Sequence, residues 1–92
     1  MILGSFCVVR TYSAGVHLGV VAEQAGTAVL LQDARRLWRW RGANTLHEVS
    51  QQGVGPGSRI SEPVPEVLLT EAIEVIPCSA AAEEDLRRSR WE

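Results

Sequence analysis

The sequence predicts a mainly β fold: a small, curved antiparallel sheet or SH3-like barrel, with one short inserted helix and a C-terminal helix. Three observations carry this. Short runs of β-branched and aromatic residues recur at close spacing, separated by glycine-containing turns. The period changes once, near residues 44–53, from alternation to a helical pattern. The final segment opens on Ser79 and orders acidic before basic residues, as a helix dipole favours. An α+β arrangement is the alternative.

Residues 5–12 read as the first strand, rich in Val and aromatic types. Ser13-Ala14-Gly15 makes a turn, with Gly15 free to take positive φ. Residues 16–22 return as a second strand, with Val16, Leu18, Val20 and Ala22 on the core side. A third strand is expected at 27–32 and a fourth at 35–41, with Asp33-Ala34 between them. Thr45 and Glu48 then form a capping box, and Gly53 fits the position just past the helix end. The glycine-rich stretch 53–58 reads as a loop. Arg59–Glu62 reads as a short edge strand, because Pro63 and Pro65 exclude a central place. One or two further strands follow at 66–70 and 72–76, ended by Pro77. The chain thus divides into a β-rich domain over 5–78 and a C-terminal helix over 79–92. That helix has a thin apolar face, Leu86 with Trp91, and so is expected to be frayed or docked on a partner chain.

The totals exclude several classes. At 92 residues, with 46% hydrophobic and 22% charged content, the chain suits one small globular domain. A net charge of −2 gives no overall attraction to nucleic acid or to anionic membrane. The average hides a basic stretch at 33–44 and an acidic one at 62–74, which could pair between copies. A small core and opposed patches together favour a homo-oligomer. No apolar run approaches the roughly 18 residues needed to span a bilayer. The apolar start stops at Gly4-Ser5 without a basic region, so no secretory leader is expected. Cys7 and Cys78 read as reduced, buried thiols of a cytoplasmic protein.

The densest chemistry lies at Arg35-Arg36-Leu37-Trp38-Arg39-Trp40-Arg41. Guanidinium beside indole suits a planar anionic partner, since it both pairs phosphate in a fork and stacks on a ring. Strand alternation puts Arg36, Trp38 and Trp40 on one face and Arg35, Leu37, Arg39 and Arg41 on the other. The two indoles are then either core or site. Arg36 cannot be buried unpaired, so it meets water, a carboxylate such as Glu48, or a ligand. Tyr12, Ser13 and His17 form a second candidate, a turn with hydroxyls, an imidazole and backbone amides able to hold an anion.

Enzymatic readings are poorly supported. Ser13, His17 and Asp33 lack the setting of a catalytic triad. Cys7, His17, His47 and Cys78 lack metal-site spacing. Gly53, Gly55 and Gly57 lack the lysine of a phosphate loop. No catalytic residue, metal or cofactor is therefore expected.

Three segments carry a resemblance: Val9–Gly19, Ala34–Ala43 and Ile73–Pro77. They resemble a family of small phage- and prophage-encoded proteins of uncharacterised function, over residues from about 5 to 80. These relatives carry other residue types at the positions of Arg39 and Arg41, which turns attention to Arg35, Arg36, Trp38 and Trp40. The resemblance implies a viral accessory protein in the host cytoplasm. The expected function is non-enzymatic binding of a small anionic nucleotide-type ligand, gripped by Arg35 or Arg36 and stacked on Trp38 or Trp40. Sequestering a host defence signal would be one use. The alternatives are an interaction module for a host defence protein, in which Arg and Trp act as hot spots, and single-stranded nucleic acid binding.

Overall fold

The computed structural model describes residues 2–91. Strands β1 (Phe6–Thr11) and β2 (Val16–Ala25) form the first hairpin. Gly15 closes it at φ 83°, and the Thr11 N–H donates to the Gly15 carbonyl at 3.0 Å. A tight turn at Gly26 leads into β3, which runs unbroken from Ala28 to Arg39. The third and fourth strands expected from the sequence are therefore one. Asp33-Ala34 is not a turn between strands but a bulge inside one. Leu18 pairs with Arg35 and Val20 with Gln32, so β3 spends an extra residue there. Asp33 takes up the strain at φ 53°, a conformation that Asp tolerates better than most residues.

After β3 comes helix α1 (Leu46–Gln52), capped as the sequence foretold. The Glu48 N–H donates to Thr45 Oγ1 at 3.2 Å, and Glu48 Oε1 accepts from the Asn44 N–H at 2.7 Å. Gly53 ends it at φ 80°. Strand β4 (Arg59–Ile60) pairs with the end of β3, and β5 (Val64–Leu69) pairs with its beginning. Between them Ser61 keeps contact with Arg36, so β4 and β5 follow the same edge of β3, with the break at Pro63. Strand β6 (Ala72–Pro77) crosses to the other side and pairs with β1. The sheet order is β4-β3-β2-β1-β6, with β5 also on β3. It is antiparallel, curved and not closed.

Both faces of this sheet carry a core. On one face Phe6, Val8, Leu18, Leu37 and Ile60 meet Val49 of α1 and Ala82 and Leu86 of α2 (Ala80–Leu86). On the other, Cys7, Val9, Val21, Val29, Leu31 and Ala34 meet Leu69 of β5 and Ala72 of β6. Since β5 and β6 are successive yet pair with β3 and β1, the sheet must curl around this second cluster. The C-terminal helix is shorter than expected, ending at Leu86 and not near residue 92, and it docks on the chain's own core. Leu86 and Ala82 are fully buried in the chain's own core. The helix needs few apolar positions because polar groups complete its docking. Asp85 accepts from the Val54 N–H at 2.9 Å, and Arg87 donates to Asp33 at 2.7 Å.

Candidate functional site

The site begins with a second irregularity in β3. Leu37 pairs with Ile60 and Arg39 with Arg59, so two steps along β3 match one along β4. Trp38 is the extra residue, and the bulge re-aims its neighbours. Leu37 and Ile60 point into the helix-covered core. Trp38 points away, with 53% of its surface exposed. Arg39 sits opposite Arg59 on Trp38's face, not on Leu37's as strict alternation would have it. The chain then adds a third row beyond β4. Ile60 and Arg90 exchange backbone hydrogen bonds of 2.6 and 2.8 Å, which sets Trp91 beside Arg59.

The outcome is a triangle of two indoles and one guanidinium. The rings of Trp38 and Trp91 have centroids 5.7 Å apart at 47°. The Arg59 guanidinium carbon lies 5.5 Å from the first ring and 5.8 Å from the second, within cation–π range. Arg36 lies two residues before Trp38, exposed on the same face of β3.

The ion pairs define the electrostatics. Arg10, Arg87, Arg88 and Arg90 each have a carboxylate within 4.0 Å. Among the described residues, Arg35, Arg36, Arg39, Arg41 and Arg59 form no ion pair. All five belong to β3, its continuation or β4. Glu62 lines a shallow depression with Ser89, Arg90 and Trp91, and borders the face on that side.

The seven residues singled out in the sequence do not converge. Arg36 and Trp38 belong to this face. Arg35 is on the opposite side of β3, beside Leu18 and Leu37, where its Nη1 donates to Ser89 Oγ. That bond ties Arg35 to the C-terminal segment, and its Nε is buried with no hydrogen-bond partner among the described residues. Trp40 lies beyond the bulge and packs half-buried against the helix-side core. It forms one wall of a groove of about 440 Å³ with Arg10, Val16, Leu46, His47 and Glu74. There Glu74 is shared by Arg10 at 3.5 Å and His47 at 3.9 Å. Glu48 is occupied at the start of α1 and is not the partner of Arg36.

Tyr12, Ser13 and His17 form a turn that is satisfied internally, not an open anion nest. The Ala14 N–H donates to Thr11 Oγ1 at 2.8 Å, and Ser13 Oγ donates to Glu71. His17 is buried, with Nε2 3.0 Å from the Ala14 carbonyl. Burial pushes its pKa below the ordinary value, the Ala14 carbonyl opposes this, and the Arg36 charge adds to the lowering. Arg36 is the cross-strand partner of His17, and its guanidinium covers Gly15. A Cβ at Gly15 would meet Arg36 Nη2 at 2.8 Å, a second reason for glycine there.

Arg59 and Trp91 escaped the sequence reading. Neither lies near the Arg/Trp run, and pairing of β4 with residue 90 has no local signature. The two thiols are free, and burial pushes both up, Cys7 to about 11 and Cys78 to about 12. Among the described residues, no three His, Cys, Asp or Glu side chains converge as metal ligands. No described helix is long and apolar enough to cross a membrane.

Fold and face together define a small, mainly β domain backed by two short helices, with an exposed indole–guanidinium cluster on an open sheet. Residues 4–86 match the model of a family described as a domain of unknown function, DUF6948, and the chain belongs to that family. No curated protein and no solved structure matches the chain. The match includes Trp38 and Arg59 and stops before Trp91.

Proposed function

We propose that this protein is a non-enzymatic binding module that takes an anionic, nucleotide-type ligand on its Trp38–Arg59–Trp91 face. One observation carries the reading: two half-exposed indoles stand among guanidinium groups that have no carboxylate partner among the described residues. A half-exposed indole leaves a broad apolar ring in water. A guanidinium without a carboxylate keeps its fork of donors for an incoming anion. A nucleotide satisfies both, with its base on a ring and its phosphate on an arginine. The tilt of 47° and the 5.7 Å separation leave no slot between the rings, so a base lies on an outer ring face. The groups that form the face bind and polarise. At neutral pH neither indole nor guanidinium transfers a proton.

Arg36 and Trp38 keep their expected part in this reading, Arg59 and Trp91 join them, and Arg35 and Trp40 serve elsewhere. Sequestering a host signal during phage infection, by an oligomer in the host cytoplasm, is the biological use we propose for such a module. The test is a titration with nucleotides, from mononucleotides and cyclic dinucleotides to short oligonucleotides, followed by tryptophan emission. At least one should quench the emission saturably, and Trp38→Ala or Arg59→Ala should weaken the effect. A flat response to the whole series sinks the proposal.

A further inference from the structure

We infer that the occupant of this face is a single strand of DNA or RNA, held over more than one nucleotide, and not a free nucleotide. The inference rests on the reading above and narrows it. Three observations carry it.

The first is shape. Sites for small ligands are concave and bury roughly 70–90% of the ligand. Trp38 and Trp91 stand on an open sheet face, exposed by 53% and 50%. A lone nucleotide lying there would keep much of its surface in water and bind weakly. A strand gains by repetition, with successive bases on successive rings.

The second is extent. Arg36, Arg39 and Arg41 follow one another along β3 and its continuation. The bulge at Trp38 brings Arg36 and Arg39 closer than the roughly 10 Å of three regular steps, and Arg41 lies past the end of β3 against Gly57. Arg59 adds a cation on the neighbouring strand. This is a track of charge, longer than one phosphate group.

The third is charge. The net charge of −2 is an average over two ends. Glu23 and Glu66 flank the beginning of β3, in register with Leu30 and Gln32. The arginines that form no ion pair among the described residues cluster at its other end. Locally the face is basic, and Glu62 marks its border. Bases in a duplex are stacked on each other and closed to the indoles, whereas those of a single strand are free.

The experiment uses the full chain with a fluorescein-labelled 12-nucleotide oligo(dT), a matching oligo(rU), free dTMP and a 12-base-pair duplex. The single strands should bind at least tenfold more tightly than dTMP or the duplex, and should quench tryptophan emission. With three or four phosphates neutralised, the log–log salt slope should be about −2 to −3, so affinity falls roughly 15- to 60-fold from 50 to 200 mM salt. Arg39→Ala and Arg59→Ala should each make the slope shallower by about 0.7. Trp91→Leu should lower affinity roughly 5- to 150-fold while leaving the salt slope unchanged. Far-UV circular dichroism and a melt establish that each variant is folded.

If dTMP binds as tightly as the oligonucleotides, the strand is overturned and nucleotide recognition survives. If the duplex binds as well as the single strand and leaves the tryptophans unquenched, the face reads phosphates alone and the inference fails. If no nucleotide of any length binds, both readings fall together.

Discussion

Trp38 and Trp91 stand ring to ring, centroids 5.7 Å apart, although one lies in the middle of the sheet and the other beyond the last helix. Their meeting depends on a strand of two residues. Ile60 of β4 pairs with Leu37 on one side and Arg90 on the other. Its side chain is fully buried in the helix-side core, which fixes the backbone that both neighbours use. The bulge at Trp38 then turns one indole outward, and the Arg59 guanidinium caps the pair, about equally far from both rings.

The neighbours Leu37 and Trp38 should lose very different amounts of stability on truncation. Leu37→Ala removes a buried side chain and should cost about 2–5 kcal/mol. Trp38→Ala removes a half-exposed ring and should cost about 0.5–1.5 kcal/mol, the value of its aromatic and cation contacts. Urea denaturation separates them. A larger loss for Trp38 would mean that its ring is a core element and the exposed face is misread.

Helix α2 should be indispensable to the fold, through Asp85 as much as through Leu86. Burial opposes the charged form of Asp85, but the Val54 N–H and the guanidiniums of Arg90 and Arg88 outweigh it and hold the pKa below 3.8. Asp85→Asn weakens those charged hydrogen bonds and should cost roughly 1–3 kcal/mol at pH 7. A carboxylate with a depressed folded pKa stabilises above its unfolded value and loses that contribution as pH falls through the folded one. The gap between the parent and Asp85→Asn should therefore be full at pH 7 and shrink below about pH 4. A gap independent of pH would make Asp85 a matter of packing alone. Gly53 belongs to the same junction. A Cβ there would strike the Asp85 carboxylate, so Gly53→Ala should be destabilising as well.

The thiols should be inert in the native protein. Cys7 is fully buried, and burial raises both pKa values, Cys7 to about 11 and Cys78 to about 12. At pH 8 the reactive thiolate is then scarce. Iodoacetamide should modify neither residue within the time that labels both in 8 M urea. Rapid labelling of native Cys78 would show that its pocket opens.

What the sequence revealed depended on range. The capping of α1 by Thr45 and Glu48 and the stop at Gly53 are local events, and they were readable. So was the short edge strand before Pro63, which is β4, whereas Pro65 falls inside β5 and not in front of it. The bulges were not. At Asp33 a short polar stretch looks like a turn, and the difference lies in whether β2 continues opposite it. At Trp38 the bulge breaks the alternation, so Arg39 joins the exposed face and Trp40 moves to the helix side. The α2 helix looked under-packed because its docking is largely polar, through Asp85, Arg87 and Arg90. Arg59 and Trp91 joined the site by pairing across the chain, which no window of neighbouring residues contains.

His17 should give the fold a pH dependence near neutrality. Burial is the main cause of its lowered pKa, and the adjacent Arg36 charge adds to it. The ordinary value of 6.5 stands for the unfolded chain. As pH falls below it, the unfolded chain takes up a proton that folded His17 refuses. Protons then favour unfolding, and stability declines until the folded pKa is reached. The stabilisation is thus present above about pH 6.5 and is lost on acidification. His17→Gln keeps an N–H donor for the Ala14 carbonyl but does not titrate. Melting temperature should fall more steeply from pH 7 to pH 5 in the parent than in His17→Gln. Asp85 titrates lower and leaves this window largely undisturbed. Equal slopes in the two proteins would show that His17 protonates as easily folded as unfolded.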